Sequence, residues 1–396
     1  MESVHIPSEF DAIRPYTPEE LPQVLAELMA DEQFLAVASK TVPDIRQKLS
    51  MLCASGGGQP SLTNLDIQKT FFYPLVKHII DTCSKGIDLT LPADFERRQP
   101  HTFITNHRDI VLDSAFLSFL LVENGFPTTV EIAIGDNLLI YPWIKKLVRI
   151  NKSFIVQRSL PPRQAFAASG VMSRYMHFAI NQKGENIWIA QREGRAKDSD
   201  DRTQDAILKM MAMGGEGSII ERLKDLHIVP MALSYELDPC DFLKAKEFQL
   251  KRNVQGFKKS REDDLVNMQT GIFGQKGHIH FEAAPCIDAW LETLDPAISR
   301  TELFPLVARH IDHEIHRCYR LYPTNYVAAD LLLGKGKRKY MEHYTKADKE
   351  TFEFYMDSRL AQIDLPEPDY AFLRDCILTM YANPVFNHET ALATEA

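Results

Sequence analysis

At 396 residues, with 45% hydrophobic and 25% charged side chains, the chain has the make-up of a soluble globular protein long enough for one large or two ordinary domains. Its formal net charge of −9 removes any global electrostatic argument for nucleic acid or anionic membrane as a partner. Six scattered cysteines without a C-x-x-C pair point to free thiols in a reducing compartment rather than to a disulfide framework.

The opening Met1-Glu2-Ser3-Val4-His5 lacks a basic stretch followed by an apolar core, so no signal peptide is expected. No window approaches the roughly 20 apolar residues of a spanning helix. A cytoplasmic location is the expectation, and any work on lipid would be done from the membrane surface. Residues 1–95 read as a mostly helical N-terminal region. One pattern begins at Pro18-Glu19-Glu20, another spans 42–53 and a long one 62–84, with Gly56-Gly57-Gly58 between the last two.

From about residue 100 the pattern changes. Segments 101–105, 130–134, 153–156, 187–191, 228–234 and 278–282 are short, apolar and bounded by polar or turn residues, which predicts strands. Helical periodicity fills 110–122, 141–148, 163–181 and 204–223 between them. Such alternation predicts an α/β domain over 96–290, a mixed sheet with crossover helices. Beyond it, 291–396 reads as a C-terminal helical region, with helices at 301–319, 326–333, 348–363 and 369–381 and a frayed tail after Asn387.

Residues 137–184 contain eight Lys or Arg and no Asp or Glu. A solvated basic face is the plain reading; a cradle for phosphate, an acidic carrier protein or anionic lipid is the functional one. Tyr141-Pro142-Trp143-Ile144 with Leu147, Val148 and Ile150 fits either an interfacial amphipathic helix or a buried face.

Chemistry concentrates in Thr105-Asn106-His107-Arg108-Asp109-Ile110-Val111-Leu112-Asp113. A histidine between a strand and a helix can take a proton from a hydroxyl or amine attacking a thioester, given a carboxylate that holds its tautomer. Asp113 and Asp109 are the two candidates for that carboxylate. The plain alternative is that Asn106 and Asp109 cap a helix and His107 is a loop residue. Three further segments follow. Phe154-Ile155-Val156-Gln157-Arg158 ends a strand on an arginine. Gln191-Arg192-Glu193-Gly194-Arg195-Ala196-Lys197 is a glycine turn rich in cations, and 228–236 is a strand with Pro230 near its start. Arginine forks match phosphate oxygens bidentately.

In order and spacing these segments resemble, over roughly residues 95–290, the four blocks of the glycerolipid acyltransferases, the glycerol-3-phosphate and lysophosphatidate acyltransferase superfamily. Those blocks are N-H-x4-D, an aromatic closely followed by Arg, E-G-x-R-S, and an apolar strand with Pro. The resemblance implies a glycerol-phosphate acyltransferase-like α/β fold and a catalytic His107–Asp113 dyad without a covalent acyl-enzyme. The implied donor is acyl-CoA or acyl-carrier protein as co-substrate, with no other cofactor and no metal. The implied acceptor is a glycerophosphate or lysophospholipid, bound through Arg108, Phe154, Arg158, Glu193, Gly194, Arg195, Lys197 and Pro230. Two departures stand out: five residues rather than four separate His107 from Asp113, and Arg195 directly follows Glu193-Gly194, one position early. They leave open an amine acceptor, giving an amino-acid-containing lipid, and a non-catalytic lipid- or carrier-binding protein.

Other constellations read as structural. His310, Asp312, His313, Glu314 and His316 lack H-E-x-x-H spacing. His278 and His280 share one strand face without a third ligand. Met213-Gly214-Gly215-Glu216-Gly217 lacks the Lys-Ser/Thr of a phosphate-binding loop, and Gly334-Lys335-Gly336-Lys337-Arg338-Lys339 is a basic loop.

Overall fold

The structure is a computed structural model that describes residues 4–40, 42–55, 62–334 and 338–394. Gly56-Gly57-Gly58, Lys335-Gly336-Lys337 and Met1 to Ser3 lie outside the described residues. Seven strands, β1 (Gly86–Thr90), β2 (Thr102–Thr105), β3 (Val130–Gly135), β4 (Ser153–Val156), β5 (Asn186–Ala190), β6 (Ile228–Tyr235) and β7 (His278–Ala283), form one mixed sheet in the order β1-β7-β6-β2-β5-β3-β4. All neighbours are parallel except β6 and β7. The six strands expected from sequence are present; β1, a half-exposed strand within 1–95, is the seventh.

Period-two alternation sorts the side chains to two faces. Phe103, Trp188, Val229, Met231 and Leu233 point to a core shared with helices Tyr73–Cys83 and Leu112–Glu123. Ile104, Ile187, Ile189, Ile228 and Ala232 point to the opposite core, under helices Pro162–Phe178, Asp205–Met211 and Arg300–Arg317. The central strand β2 is thus covered on both sides, and its C-terminal end presents His107 between β5 and β6.

Several expectations are revised. The predicted 204–223 helix is two, Asp205–Met211 and Ile219–Lys224. The break is built by glycine: a Cβ on Gly214 would stand 2.8 Å from Arg174 N and 2.9 Å from Ser173 C, so helix Pro162–Phe178 lies against bare backbone there. Helices Asp241–Asn253 and Arg261–Phe273 were not expected, because buried Lys244, Glu247 and Gln249 interrupt the apolar period of the first. The tail past Asn387 is not frayed; helix Tyr370–Ala393 continues through Pro384, and His388 Nδ1 donates to His316 O at 2.9 Å. The apolar side of the basic helix Pro142–Ile150 is not free for a membrane, since Trp143, Leu147 and Ile150 pack on the N-terminal helices.

The basic block is segregated in sequence but not in space. Lys146 pairs with Glu27 at 2.9 Å, Lys152 with Glu185 at 2.6 Å, Arg174 with Glu9 at 2.6 Å, and Lys183 with Glu131. Arg149 donates to Arg14 O at 2.7 Å and Asp11 O at 3.0 Å. No described helix is long and apolar enough to cross a membrane. Gly214→Ala is expected to destabilise the fold by about 1–3 kcal/mol through overpacking; an unchanged urea midpoint would contradict this account of the break.

Candidate active site

Asn106 extends the pairing of β2 and β6 by side chain: its Nδ2 donates to Leu233 O at 2.9 Å and its Oδ1 accepts from Leu233 N at 2.7 Å. With Asn106 fixed, the next residue projects from the sheet end. His107 Nδ1 lies 2.8 Å from Asp113 Oδ2. The same oxygen accepts from Arg108 N at 2.7 Å and Asp109 N at 3.0 Å, and Asp113 Oδ1 accepts from Tyr235 Oη at 2.9 Å. Asp113 is fully buried, whereas the His107 side chain retains 12% exposure. The extra residue between them is absorbed in the 106–111 turn, which carries Asp113 back to the ring.

Asp109 does the other job considered for it. Its Oδ1 accepts from Val111 N at 2.9 Å and Leu112 N at 2.8 Å, closing the turn that opens helix Leu112–Glu123. Burial, then the Asp113 charge, raises its pKa. Its other oxygen occupies the space left by Gly271, where an added Cβ would stand 2.0 Å away. Trp188 meets the His107 ring edge-on, centroids 5.6 Å apart, and donates its Nε1–H to Thr105 Oγ1 at 3.1 Å. A hydrogen on Nδ1 shared with Asp113 leaves Nε2 as the accepting nitrogen, and no described protein group bonds to it.

The expected substrate contacts divide. Arg108 is buried beside the dyad; its Nη1 donates to Ser199 Oγ and its Nε has no partner. Burial opposes its charge, but Tyr319, Asp201, Asp238 and Asp113 outweigh that and raise its pKa. Arg195 Nη2 donates to Asn267 Oδ1 at 3.1 Å, while its Nη1 is buried without a partner. Against the penalty of burial, Cys240, Asp109 and Asp238 raise the Arg195 pKa. Gly194, at φ +66, makes the turn before it. Arg158 is exposed and reaches Glu193 at 3.3 Å. Lys197 is engaged with Glu247 at 3.0 Å, and burial lowers its pKa.

Two expected contacts are not at the site. Phe154 is wholly buried and packs on Tyr175, centroids 5.4 Å apart. Pro230 sits inside the sheet at the level of Ile104, below the Asn106–Leu233 bridge. Both belong to sheet strands, so their place in a sequence block reflects packing rather than contact. Tyr235, Trp188, Ser199, Asp201 and Gly271 were missed. Tyr235 ends the β6 alternation, and the others carry no local sequence signal.

The set-aside histidines have separate partners. His310 stacks on Trp290 at 3.7 Å, His316 Nε2 donates to Asp201 O at 3.3 Å, and Asp312 Oδ1 accepts from Thr203 N at 2.7 Å. His280 bonds Asp88 at 3.0 Å and Glu282 at 3.2 Å. Elsewhere, His227, Cys286 and Asp288 gather within 4.8 Å of one another. The His227–Asp288 separation of 2.6 Å is a hydrogen bond, shorter than the roughly 3.3 Å between two ligands of a tetrahedral zinc.

Tyr235→Phe leaves Asp113 Oδ1 without its donor and is expected to cost about 1–3 kcal/mol in urea unfolding; no loss would mean that the phenol is dispensable there. A pH dependence follows from helix Arg300–Arg317. Burial lowers His310 and His316 to about 4 and raises Asp312 to about 6. As pH falls from 6.5 to about 4 the unfolded chain gains two histidine protons that the fold refuses, favouring unfolding. Asp312 opposes this: between its unfolded value of 3.8 and about 6 the fold alone binds its proton. Two outweigh one, so these groups make stability fall on acidification, and His316→Gln should make the slope of urea midpoint against pH shallower.

No curated protein matches the chain in sequence. Among solved structures, the crystal structure of the 1-acyl-sn-glycerophosphate (LPA) acyltransferase PlsC from Thermotoga maritima is similar at 10% identity and a TM-score of 0.37, covering 74% of this chain and 95% of that one. Residues 86–234 match the family described as Acyltransferase, a span that runs from the start of β1 to Ser234 in β6 and holds His107, Asp113, Arg158 and Arg195. That segment is an acyltransferase domain.

Proposed function

We propose that the protein moves a fatty acyl group from a thioester donor, acyl-CoA or acyl-carrier protein, to a hydroxyl of glycerol-3-phosphate or 1-acylglycerol-3-phosphate in phospholipid synthesis. The observation that carries this reading is the dyad: His107 Nδ1 held at 2.8 Å by a buried carboxylate, with Nε2 unengaged. Nε2 takes the acceptor's hydroxyl proton as that oxygen attacks the thioester carbon. Asp113 orients the ring and stabilises the imidazolium. Collapse of the tetrahedral oxyanion expels the thiolate, which recovers the proton from His107. The N–H groups of Arg108 and Asp109 are committed to Asp113 and do not serve as oxyanion donors.

Arg195, with a buried Nη1 lacking a partner, and Arg158 at the rim hold the acceptor phosphate. The exposed Arg158–Glu193 pair is worth at most about 1 kcal/mol and yields to a dianion. Arg108 and Lys197 assist. The Gly194 turn, open above its Cα, admits the phosphate to backbone. The reaction calls for no metal or further cofactor, and a cytoplasmic enzyme with peripheral contact takes its lipid substrates from the membrane surface.

A second reading, N-acylation of an amine acceptor, is favoured by one observation: Arg108 and Arg195 already face Asp201, Asp238 and Asp109. Radiolabelled acyl-CoA and acyl-carrier protein, offered with glycerol-3-phosphate, lysophosphatidate and free amino acids, decide the matter. Labelling of a phosphate acceptor is expected, with His107→Ala lowering kcat about a thousandfold. Labelling of amino acids alone would defeat the hydroxyl reading. Full transfer by a folded His107→Ala protein would leave only a carrier- or lipid-binding role.

A further inference from the structure

The segment Asp198 to Thr203, just past the third sequence block, is gripped from two sides. The C-terminal helix Tyr370–Ala393 holds it through two asparagines. Asn383 Nδ2 donates to Asp198 O at 2.8 Å; Asn387 Nδ2 donates to Asp200 Oδ1 at 3.0 Å, and Asn387 Oδ1 accepts from Arg202 Nη2 at 2.9 Å. Helix Arg300–Arg317 adds His316 on Asp201 O, and Asp312 Oδ1 accepts from Thr203 N, from Thr203 Oγ1 at 2.6 Å and from Gln191 Nε2 at 3.2 Å. Toward the dyad, Ser199 Oγ accepts from Arg108 Nη1. The Asp201 carboxylate is fully buried with one oxygen lacking a hydrogen bond, and its charge is felt by both Arg108 and His107.

Ser199 achieves this contact in a left-handed conformation, φ +60, which a non-glycine residue rarely adopts. Such a conformation persists when surrounding contacts over-determine it, and the contacts doing so come from the C-terminal helices. On the receiving side, Arg108 has a long side chain whose only direct partner among the described residues is that serine hydroxyl. Where the guanidinium stands relative to His107 therefore depends on where the loop stands.

We propose that helix Tyr370–Ala393 is a positioning element of the acyltransferase site: Asn383 and Asn387 set the 198–203 loop, and Ser199 on that loop sets the Arg108 guanidinium beside His107. The role of Arg108 toward the acceptor rests on the reading of the site given above. The physical link from helix to arginine does not, and the two are tested separately.

The whole 396-residue chain is used throughout. Hydrogen exchange, followed by mass spectrometry without substrate, reads the link. Asn387→Ala is expected to speed exchange in peptides covering 196–203 and 105–113 while leaving β3 and β4 unchanged. Unchanged exchange at 105–113 in a folded Asn387→Ala protein overturns the proposal. Ser199→Gly provides a second variant that cannot be lost to backbone strain, since glycine accepts the left-handed φ while the hydroxyl is removed. With palmitoyl-CoA as donor and lysophosphatidate as acceptor, both variants should raise the acceptor KM about tenfold, with kcat within about twofold. In an Arg108→Ala background neither should add a further effect. Effects that multiply with Arg108→Ala, as a merely structural role would give, also overturn the proposal. Absence of turnover by the unmutated protein with lysophosphatidate would count against the acceptor reading alone, because the exchange measurement still decides the link.

Discussion

The buried carboxylate of Asp113 is the constraint on which the rest of the site depends. An isolated carboxylate removed from water is destabilising by several kcal/mol, so its position is tolerable only where its lone pairs are met. Four donors meet them: the His107 ring, two successive backbone N–H groups and the Tyr235 phenol. Each donor comes from a different requirement of the fold. The N–H groups belong to the turn leaving β2, the phenol to the end of β6, and Asp113 itself to the first turn of helix Leu112–Glu123. One charged group therefore closes the turn, ties the helix to the neighbouring strand and fixes the imidazole. The site cannot be loosened at one of these points without leaving a buried acceptor unpaired.

That interdependence explains what could be read from sequence. The His107–Asp113 pair is legible in the sequence because a histidine and the carboxylate that holds it lie close together in a strand-to-helix turn, which sequence spacing records. Five of the strands within 102–235 announced themselves as short apolar runs. The edge strand β1 did not, since Gly86–Thr90 is half exposed and carries Asp88 and Thr90. Helix Asp241–Asn253 was hidden for the opposite reason: polar side chains occupy buried positions, so its apolar period is broken. Tyr235, Ser199 and Asp201 act through contacts 90 or more residues from their partners, and nothing local marks them. Phe154 and Pro230 show the converse: spacing places them in a sequence block, and the structure places them inside the strands that carry those blocks.

Charge was the least legible property. A run of cations without acids between 137 and 184 suggested a free positive surface, yet most of those side chains find acids from other regions of the chain. Linear segregation of charge is compatible with spatial neutrality when the fold interleaves distant segments. Here the N-terminal helices, β3 and Glu185 just before β5 supply the complementary partners.

The same interleaving surrounds the dyad: the buried Arg108 and Arg195 stand against Asp109, Asp113, Asp201 and Asp238, carboxylates brought from separate segments of the chain. Burial already raises the pKa of Asp109 and Asp201. The buried arginines are therefore not an excess of positive charge: each already stands among carboxylates that favour its charged form.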